Sequence, residues 1–386
     1  MKIFYICYAD MAGHNGAVRH IVEIIINLQK LGHQVQLCVP RFSKYRDKLP
    51  LNIRYIPVVN LPVIRPLVFI LIAPFLLIVY LLKFKPNAVY VREIGFSLCQ
   101  EALILKLLNY PSAIEINGMF FEQLKLVGVF SYLKPIFKFI QRTKFKFFDK
   151  ILVHTAGLKE EIQKIYNIQS FKLEVIPMGV NTESFKPMPK KDVRSRLNLA
   201  LGRYYIGFVG GLMSWQGIDN LIASSPFIIK EIPGVTFLIV GWGRLKNAFI
   251  NMVKELGLEQ NFIFTGEVSF ETVPLYINAF DIGIVFFKPV RKDPGDPIKL
   301  YEYLACGIPI LASNVKGYGD VVERIGAGKA VDSSKPQEIS RVIVDLLRNN
   351  GLRDEMANRG PASVEVHTWL NRAKQIEDCF NNIISR

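Results

Sequence analysis

The sequence predicts an α/β protein made of two doubly wound, Rossmann-like domains with parallel sheets. Three observations predict it. The chain has 386 residues, too long for one ordinary domain and long enough for two, each with a core of its own. Short apolar, β-prone runs alternate with segments of helical period, which is the pattern of β-α-β crossovers. The alternation also restarts after residue 189 with a fresh strand that ends in glycines.

The first domain opens on an apolar run at 2–7, followed by a polar loop with Gly13 and Gly16 and then Val18, Ile21, Val22, Ile25 and Leu28 at helical spacing. Gly32 stops that helix, and HQVQLCVP follows as a second strand, so the crossover favours a parallel sheet. NAVYVRE, PSAIEING, KILVHT with the helix GLKEEIQKIY, and KLEVIP continue the alternation. The proline-punctuated stretch 185–189 reads as the linker. Beyond it YYIGFVGGL, VTFLIVGWG, NFIFTG, DIGIVFF and IPILAS read as strands, and GIDNLIASSPFIIKEI as a helix. The domains are therefore 1–187 and 188–366, and an amphipathic helix at about 367–386 is left to pack on one of them.

Half of the residues are hydrophobic and 21% are charged, which excludes a disordered chain and falls short of a multi-span membrane protein. The five cysteines show no CxxC and no His partner at ligand spacing, so neither a disulfide framework nor a zinc site is indicated and a reducing cytosol fits. MKIFYICYAD reads as a buried strand rather than a secretory signal. The net charge of +15 is uneven: residues 1–190 hold 25 Lys and Arg against 12 Asp and Glu, and 191–386 hold 23 against 21. The first domain is expected to meet something anionic, with lipid headgroups, a phosphorylated acceptor and nucleic acid as candidates, or else to carry solubility charge.

Residues 66–82 form seventeen uncharged positions that include Pro74. That is the lower limit for a spanning helix of about 17 to 25 residues, and a span would split the sheet between the strands on either side. A buried helix or one partly sunk in the membrane interface is expected instead. In 119–150, Lys134, Lys138, Arg142, Lys146 and Lys150 recur every four residues, with Ile136, Phe139, Ile140 and Phe147 on other faces. Such a basic amphipathic helix suits an anionic leaflet, or is a solvated charged face. Nucleic acid is disfavoured, because the phenylalanines are expected to be packed and no recognition module is present.

GHNGAVRHIVEIIINLQKLGHQVQL, ILVHTAGLKEEI with VIPMGVNTESFKP, FVGGLMSWQGIDNLI, LIVGWGRL, IFTGEV, AFDIGIVFF and KLYEYLACGIPILAS occur in the order and spacing of one family. On these motifs the chain resembles the retaining GT-B glycosyltransferases of family 4, the glycosyl transferases group 1, over nearly its whole length. The resemblance implies two domains facing a cleft, with a UDP- or GDP-sugar held by the second, a lipid-linked or polysaccharide acceptor by the first, and the last helix returning to the first domain. It implies a hexosyltransferase on the cytoplasmic face of the membrane. No tightly bound cofactor is implied, and without an Asp-x-Asp pair metal independence is expected.

Breaking the anomeric bond leaves negative charge on the diphosphate, so preorganised donors are needed. Glycine loops and helix N-termini supply them, and two such loops lie at 13–16 and 210–217. Gly16 allows close approach of backbone to the diphosphate, and Arg19 either orients it or caps the sheet. Gly210, Gly241 and Val268 join the donor contacts by resemblance. Glu302 matches the family's second acid, expected to accept from the ribose hydroxyls; alternatively it is a glutamate favoured by the helix dipole. Several positions depart from the family. Gly211 and Gln216 stand where an Arg and a Lys are common, and Pro294 where the first acid belongs, leaving Asp293 or Asp296 to replace it. Lys299, in Asp296-Pro297-Ile298-Lys299, supplies the missing charge or is a solvated lysine at a helix start. Asn117 falls where many relatives carry a His; it can donate but is no general base. The resemblance implies the family's front-face route, in which the departing phosphate itself takes the acceptor's proton. The departures keep open a binding protein that has lost catalysis, and the shared architecture an epimerase or phosphorylase.

Overall fold

The computed structural model describes residues 1–13, 15–42, 51–59, 61, 64–94, 97, 99–118, 134–288 and 295–385, without the Lys134 side chain. The chain divides into two compact units, the first from Met1–Gly13, Ala17–Pro177 and Trp369–Arg386, the second chiefly Met178–Thr368. The change of unit at 177 and 178 precedes the linker read at 185–189.

Unit 1 holds β1 Lys2–Ile6, α1 Gly16–Lys30, β2 Gln34–Pro40, β3 Asn52–Ile56, α2 Arg65–Phe84, β4 Ala88–Arg92, α3 Gln100–Leu107, β5 Ser112–Ile116, α4 Lys134–Phe147, β6 Lys150–Val153, α5 Ala156–Tyr166 and β7 Leu173–Val175. The strands form one parallel sheet in the order β3-β2-β1-β4-β5-β6-β7. The direction of winding reverses between β1 and β4, the switch point at whose carboxyl side ligands of doubly wound sheets sit. The inner strands are buried on both faces, which is why they read as continuous apolar runs. β3, which has no counterpart among the strands read from the sequence, is the edge strand and alternates between exposed and buried.

Unit 2 holds α6 Lys190–Arg196, β8 Tyr204–Val209, α7 Ile218–Glu231, β9 Val235–Val240, α8 Lys246–Glu255, β10 Phe262–Gly266, α9 Val273–Asn278, β11 Ile282–Val285, α10 Ile298–Ala305, β12 Ile310–Ser313, α11 Gly319–Ile325, β13 Gly328–Val331, α12 Pro336–Arg348 and α13 Asn350–Ser363. Its sheet is also parallel, in the order β10-β9-β8-β11-β12-β13. The overlooked strand is again at an edge, β13.

The last helix, α14 Trp369–Ile384, belongs to unit 1. Trp369 sets its ring edge-on to His20 with centroids 5.2 Å apart, Phe380 does the same to Tyr90 at 6.0 Å, and Glu377 lies 3.0 Å from His33. These contacts bury its apolar face against the first sheet.

α2 is a single helix of 20 residues through Pro74, among the described residues the one helix long and apolar enough to cross a membrane. β3 and β4, on either side of it, lie in the same sheet, so it folds back over that sheet. Phe69, Leu77 and Leu81 are buried there, but Leu67, Leu71 and Phe75 face outward, Phe75 with 73% of its surface exposed. The expectation of a helix buried throughout is therefore corrected: Ile72, Ala73, Leu76 and Tyr80 are half-buried against the core, and the stripe through Leu67, Leu71 and Phe75 is exposed. α4 corrects another expectation. It ends at Phe147, so Lys150 is not part of it but starts β6 and pairs with Glu174. Phe145 is buried, whereas Phe139 is 69% exposed and not packed.

Candidate functional site

In unit 2 the site grows from the ends of β8 and β9. The Val209 N–H donates to the Tyr303 hydroxyl oxygen at 2.8 Å, which ties the end of β8 to α10. Gly210 follows with φ +143° and Gly241 ends β9 with φ +131°, both in the region that favours glycine. A Cβ on Gly241 would stand 2.1 Å from the Gly210 carbonyl oxygen, so only glycine lets the two strand ends meet. A Cβ on Gly210 would lie 3.0 Å from Lys299 Nζ. That ammonium donates to Gln216 Oε1 at 2.8 Å and lies 3.9 Å from the centre of the Phe208 ring. Desolvation pushes it down to about 7, while the Glu302 carboxylate acts in the opposite direction. Lys299 and Glu302 sit one turn apart on α10, with Glu302 buried.

Gly217, with φ +65°, precedes α7, whose N-terminus carries no side-chain cap. Its first turn carries Asp219, which pairs with Lys288, so what this end offers an anion is its backbone N–H groups rather than an unscreened dipole. Gly211 has room for a side chain, since a Cβ there would meet nothing nearer than Met213 Cγ at 3.8 Å. The structure thus brings Gly210, Gly211, Gln216, Gly241, Lys299 and Glu302 into one group. Asp296 is occupied otherwise: its oxygens accept from the Met178 N–H at 2.7 Å and the Tyr301 hydroxyl at 2.9 Å, which fixes the start of unit 2. Val268 lies partly exposed in the segment after β10. Asp293 and Pro294 lie outside the described residues.

In unit 1, Gly13 closes a turn by donating to the Asp10 carbonyl at 3.2 Å, Gly16 opens α1, and Arg19 pairs with Glu23 one turn on at 2.8 Å. Asn117 stands just past the end of β5, half-buried. Its Oδ1 accepts from Arg92 at 3.1 Å and lies 2.9 Å from His154 Nε2. Behind it is a group that sequence reasoning missed. Glu115 is fully buried; Oε2 accepts from the Tyr90 hydroxyl and lies 2.9 Å from His20 Nε2, while Oε1 lies 3.4 Å from His154 and 3.6 Å from Arg92. Burial alone would raise this carboxyl, but the Arg92 charge and the hydrogen bonds from His20 and His154 outweigh it and hold Glu115 well below the usual carboxylate range. His20 is pushed down to about 4, chiefly by burial, so it meets Glu115 as a neutral ring. The signal available in sequence was the acid within AIEI, a charge inside an otherwise apolar strand.

His20, Glu115 and His154 are also the one group among the described residues with ligand atoms close enough to hold a metal ion, all within 4.8 Å. Hydrogen bonds already engage those atoms, and a cation there would face the Arg92 guanidinium. The donor set fits the bonded network better than a metal.

Known proteins resemble the chain in both halves. The sequence model of Glycosyltransferase Family 4 matches residues 14–184, and that of Glycosyl transferases group 1 matches residues 189–363. A GDP-mannose-dependent alpha-(1-6)-phosphatidylinositol monomannoside mannosyltransferase of Mycobacterium tuberculosis is 28% identical over 53% of this chain, and the match spans 55% of that relative's own length. Sucrose-phosphate synthase from Thermosynechococcus elongatus superposes with a TM-score of 0.81 at 17% identity, covering 100% of this chain and 99% of its own. Anabaena HepE in complex with UDP superposes at 0.76 and 17% identity, covering 99% and 100%. With one model on each half, and the same two-domain fold in the solved structures, the chain belongs to the GT-B glycosyltransferases, family 4 in its first half and group 1 in its second.

Proposed function

We propose that this protein transfers a hexose from a UDP- or GDP-sugar to a lipid-linked or polysaccharide acceptor at the inner face of a membrane, with retention and without a metal. The observation that carries the donor half is Lys299: its ammonium lies beside the Gly210 turn, in reach of Gln216, in place of the two cations the family usually has there. A diphosphate set against that turn meets a cation, close backbone and the backbone N–H groups that start α7, all of them preorganised for the charge that grows as the anomeric bond breaks. Glu302 accepts from the ribose hydroxyls. Asn117 meets the sugar or acceptor as a hydrogen-bond donor, and the departing phosphate takes the acceptor's proton. The mannosyltransferase relative uses GDP-mannose and HepE binds UDP, which supports a nucleotide-linked donor and leaves both bases in the proposal.

A panel of UDP-, GDP- and ADP-sugars tests the donor half. At least one raises the melting temperature, by about 1 °C per kcal/mol of binding linkage in a chain of this size, and Glu302→Ala removes the shift. No shift with any donor sinks the reading.

The membrane half is supported by the outward face of α2 and by α4, where Ile136 and Phe139 are exposed beside Lys138, Arg142 and Lys146; Lys134, of the same basic series, starts the helix. Exposed apolar surface rimmed by lysine and arginine suits an anionic leaflet, each charge contributing about 1 kcal/mol near the surface. Binding to phosphatidylserine vesicles is expected to fall with salt. Unchanged binding in Lys138→Glu with Arg142→Glu rules out this face.

A further inference from the structure

The hydrogen bonds around Asn117 have one consistent solution, which deepens the transfer reading and rests on it. Every guanidinium nitrogen is a donor, so the amide atom 3.1 Å from Arg92 is the oxygen of Asn117. The same oxygen lies 2.9 Å from His154 Nε2, which must then carry a proton. The other ring nitrogen, Nδ1, lies 2.9 Å from the Ile176 carbonyl oxygen and must carry one as well. Either neutral tautomer sets a nitrogen lone pair against an oxygen lone pair, and turning the amide over sets its NH2 against Arg92. Only the doubly protonated ring satisfies all three contacts. The opposite charge is at hand in Glu115, whose Oε1 lies 3.4 Å from the same Nε2.

Among the described residues, the groups that face His154 include Glu115 on β5, Arg92 on β4, His20 on α1 with ring centroids 5.4 Å away, Asn117 and the Ile176 carbonyl. Tyr90 and His20 occupy the second oxygen of Glu115. With its oxygen taken twice, Asn117 has its Nδ2 hydrogens left, and these have no partner among the described residues.

We propose that His154 is held as an imidazolium by Glu115 and, with Arg92, locks Asn117 by its oxygen, so that the site presents an amide N–H to a substrate oxygen that accepts. His154, Arg92 and Glu115 are positioning residues; Asn117 makes the contact. Two cationic donors on the oxygen also polarise the amide and strengthen its N–H as a donor. A hydroxyl, carbonyl or phosphate oxygen fits this contact, and a group that can only donate does not.

Long-range 1H–15N spectra of the full chain labelled in histidine read the ring directly at pH 7.5, with His154→Gln to assign the signals. His154 is expected to show two protonated nitrogens and His20 one. A bare nitrogen on His154 overturns the proposal. The second arm is Asn117→Asp, which sets a carboxylate between the same two cations, keeps the packing and removes the donor. The kcat is expected to fall about 100-fold with the donor KM changed less than about threefold. A variant that keeps most of the wild-type kcat overturns the donor role. The nitrogen shifts are read without substrate, so a chain that turns over no sugar nucleotide sinks the transfer reading while the spectra still decide the state of His154.

Discussion

The two units share one strand order and arm it in opposite ways. At the ends of β4, β5 and β6, unit 1 sets polar and charged side chains against one another: Glu115 meets Arg92, His20 and His154, and the Asn117 amide meets Arg92 and His154. At the ends of β8 and β9, unit 2 uses glycine, so that backbone meets backbone and one lysine with an amide partner stands beside them. In the first, opposite charges meet within the group itself. The second holds a cation whose charge is matched by no contacting carboxylate among the described residues, and an anionic ligand can complete it.

The largest effect expected from that contrast lies in unit 1. Glu115→Ala leaves the charges of Arg92 and the histidine cluster buried without their counter-charge, at a cost of about 3–5 kcal/mol in stability. Denaturant unfolding followed by circular dichroism reads the loss; a cost under about 1 kcal/mol erases the distinction between the units. The next effect lies in unit 2 and is one of pH. Desolvation holds the free Lys299 ammonium down at about 7, and a bound diphosphate favours its protonated form. The bound complex therefore takes up a proton above that value. Affinity for UDP or GDP is expected to fall by up to about tenfold per pH unit as pH rises from about 7 toward 9, and to level off below. Titration calorimetry measures the slope, which Lys299→Met should flatten; an unchanged slope in that variant removes Lys299 from the diphosphate. The smallest effect is a gain. Gly211→Arg places a guanidinium where the turn has room, and is expected to tighten nucleotide binding by about 0.5–1 kcal/mol. No gain means that backbone and Lys299 already satisfy the diphosphate.

Much of the fold was legible because a parallel strand covered on both faces is a nearly continuous apolar run, as VTFLIV and YYIGFV are. β3 and β13 were overlooked for the converse reason. They are edge strands, NIRYI and GKAV, with water on one side and only four or five residues in which to show a pattern. The cluster of Gly210, Gly241, Lys299 and Glu302 was singled out in the sequence because its members stand in local motifs whose order and spacing resemble a family. The network behind Asn117 was not, because residues 20, 92, 115 and 154 come from four segments that only the sheet brings together. The helical spacing that singled out the basic residues of α4 ran on to Lys150, since period alone does not mark where a helix stops. It also passed over Lys144, which points inward to the Ile94 carbonyl and Ser97. Hydropathy found α2 and could not tell a core helix from one left uncovered, because both sequences are equally apolar.

α14 has a consequence for how the protein is made. The residues that cover His20 and Tyr90 are Trp369 and Phe380, which emerge from the ribosome after the whole of the second unit. During synthesis the early sheet waits with part of its apolar surface bare, while domains of nascent chains ordinarily close in the order they appear. Loss of residues 369–386 would therefore injure the first unit rather than the second, and chaperones that shield hydrophobic surface have a longer task on the unit that is made earlier.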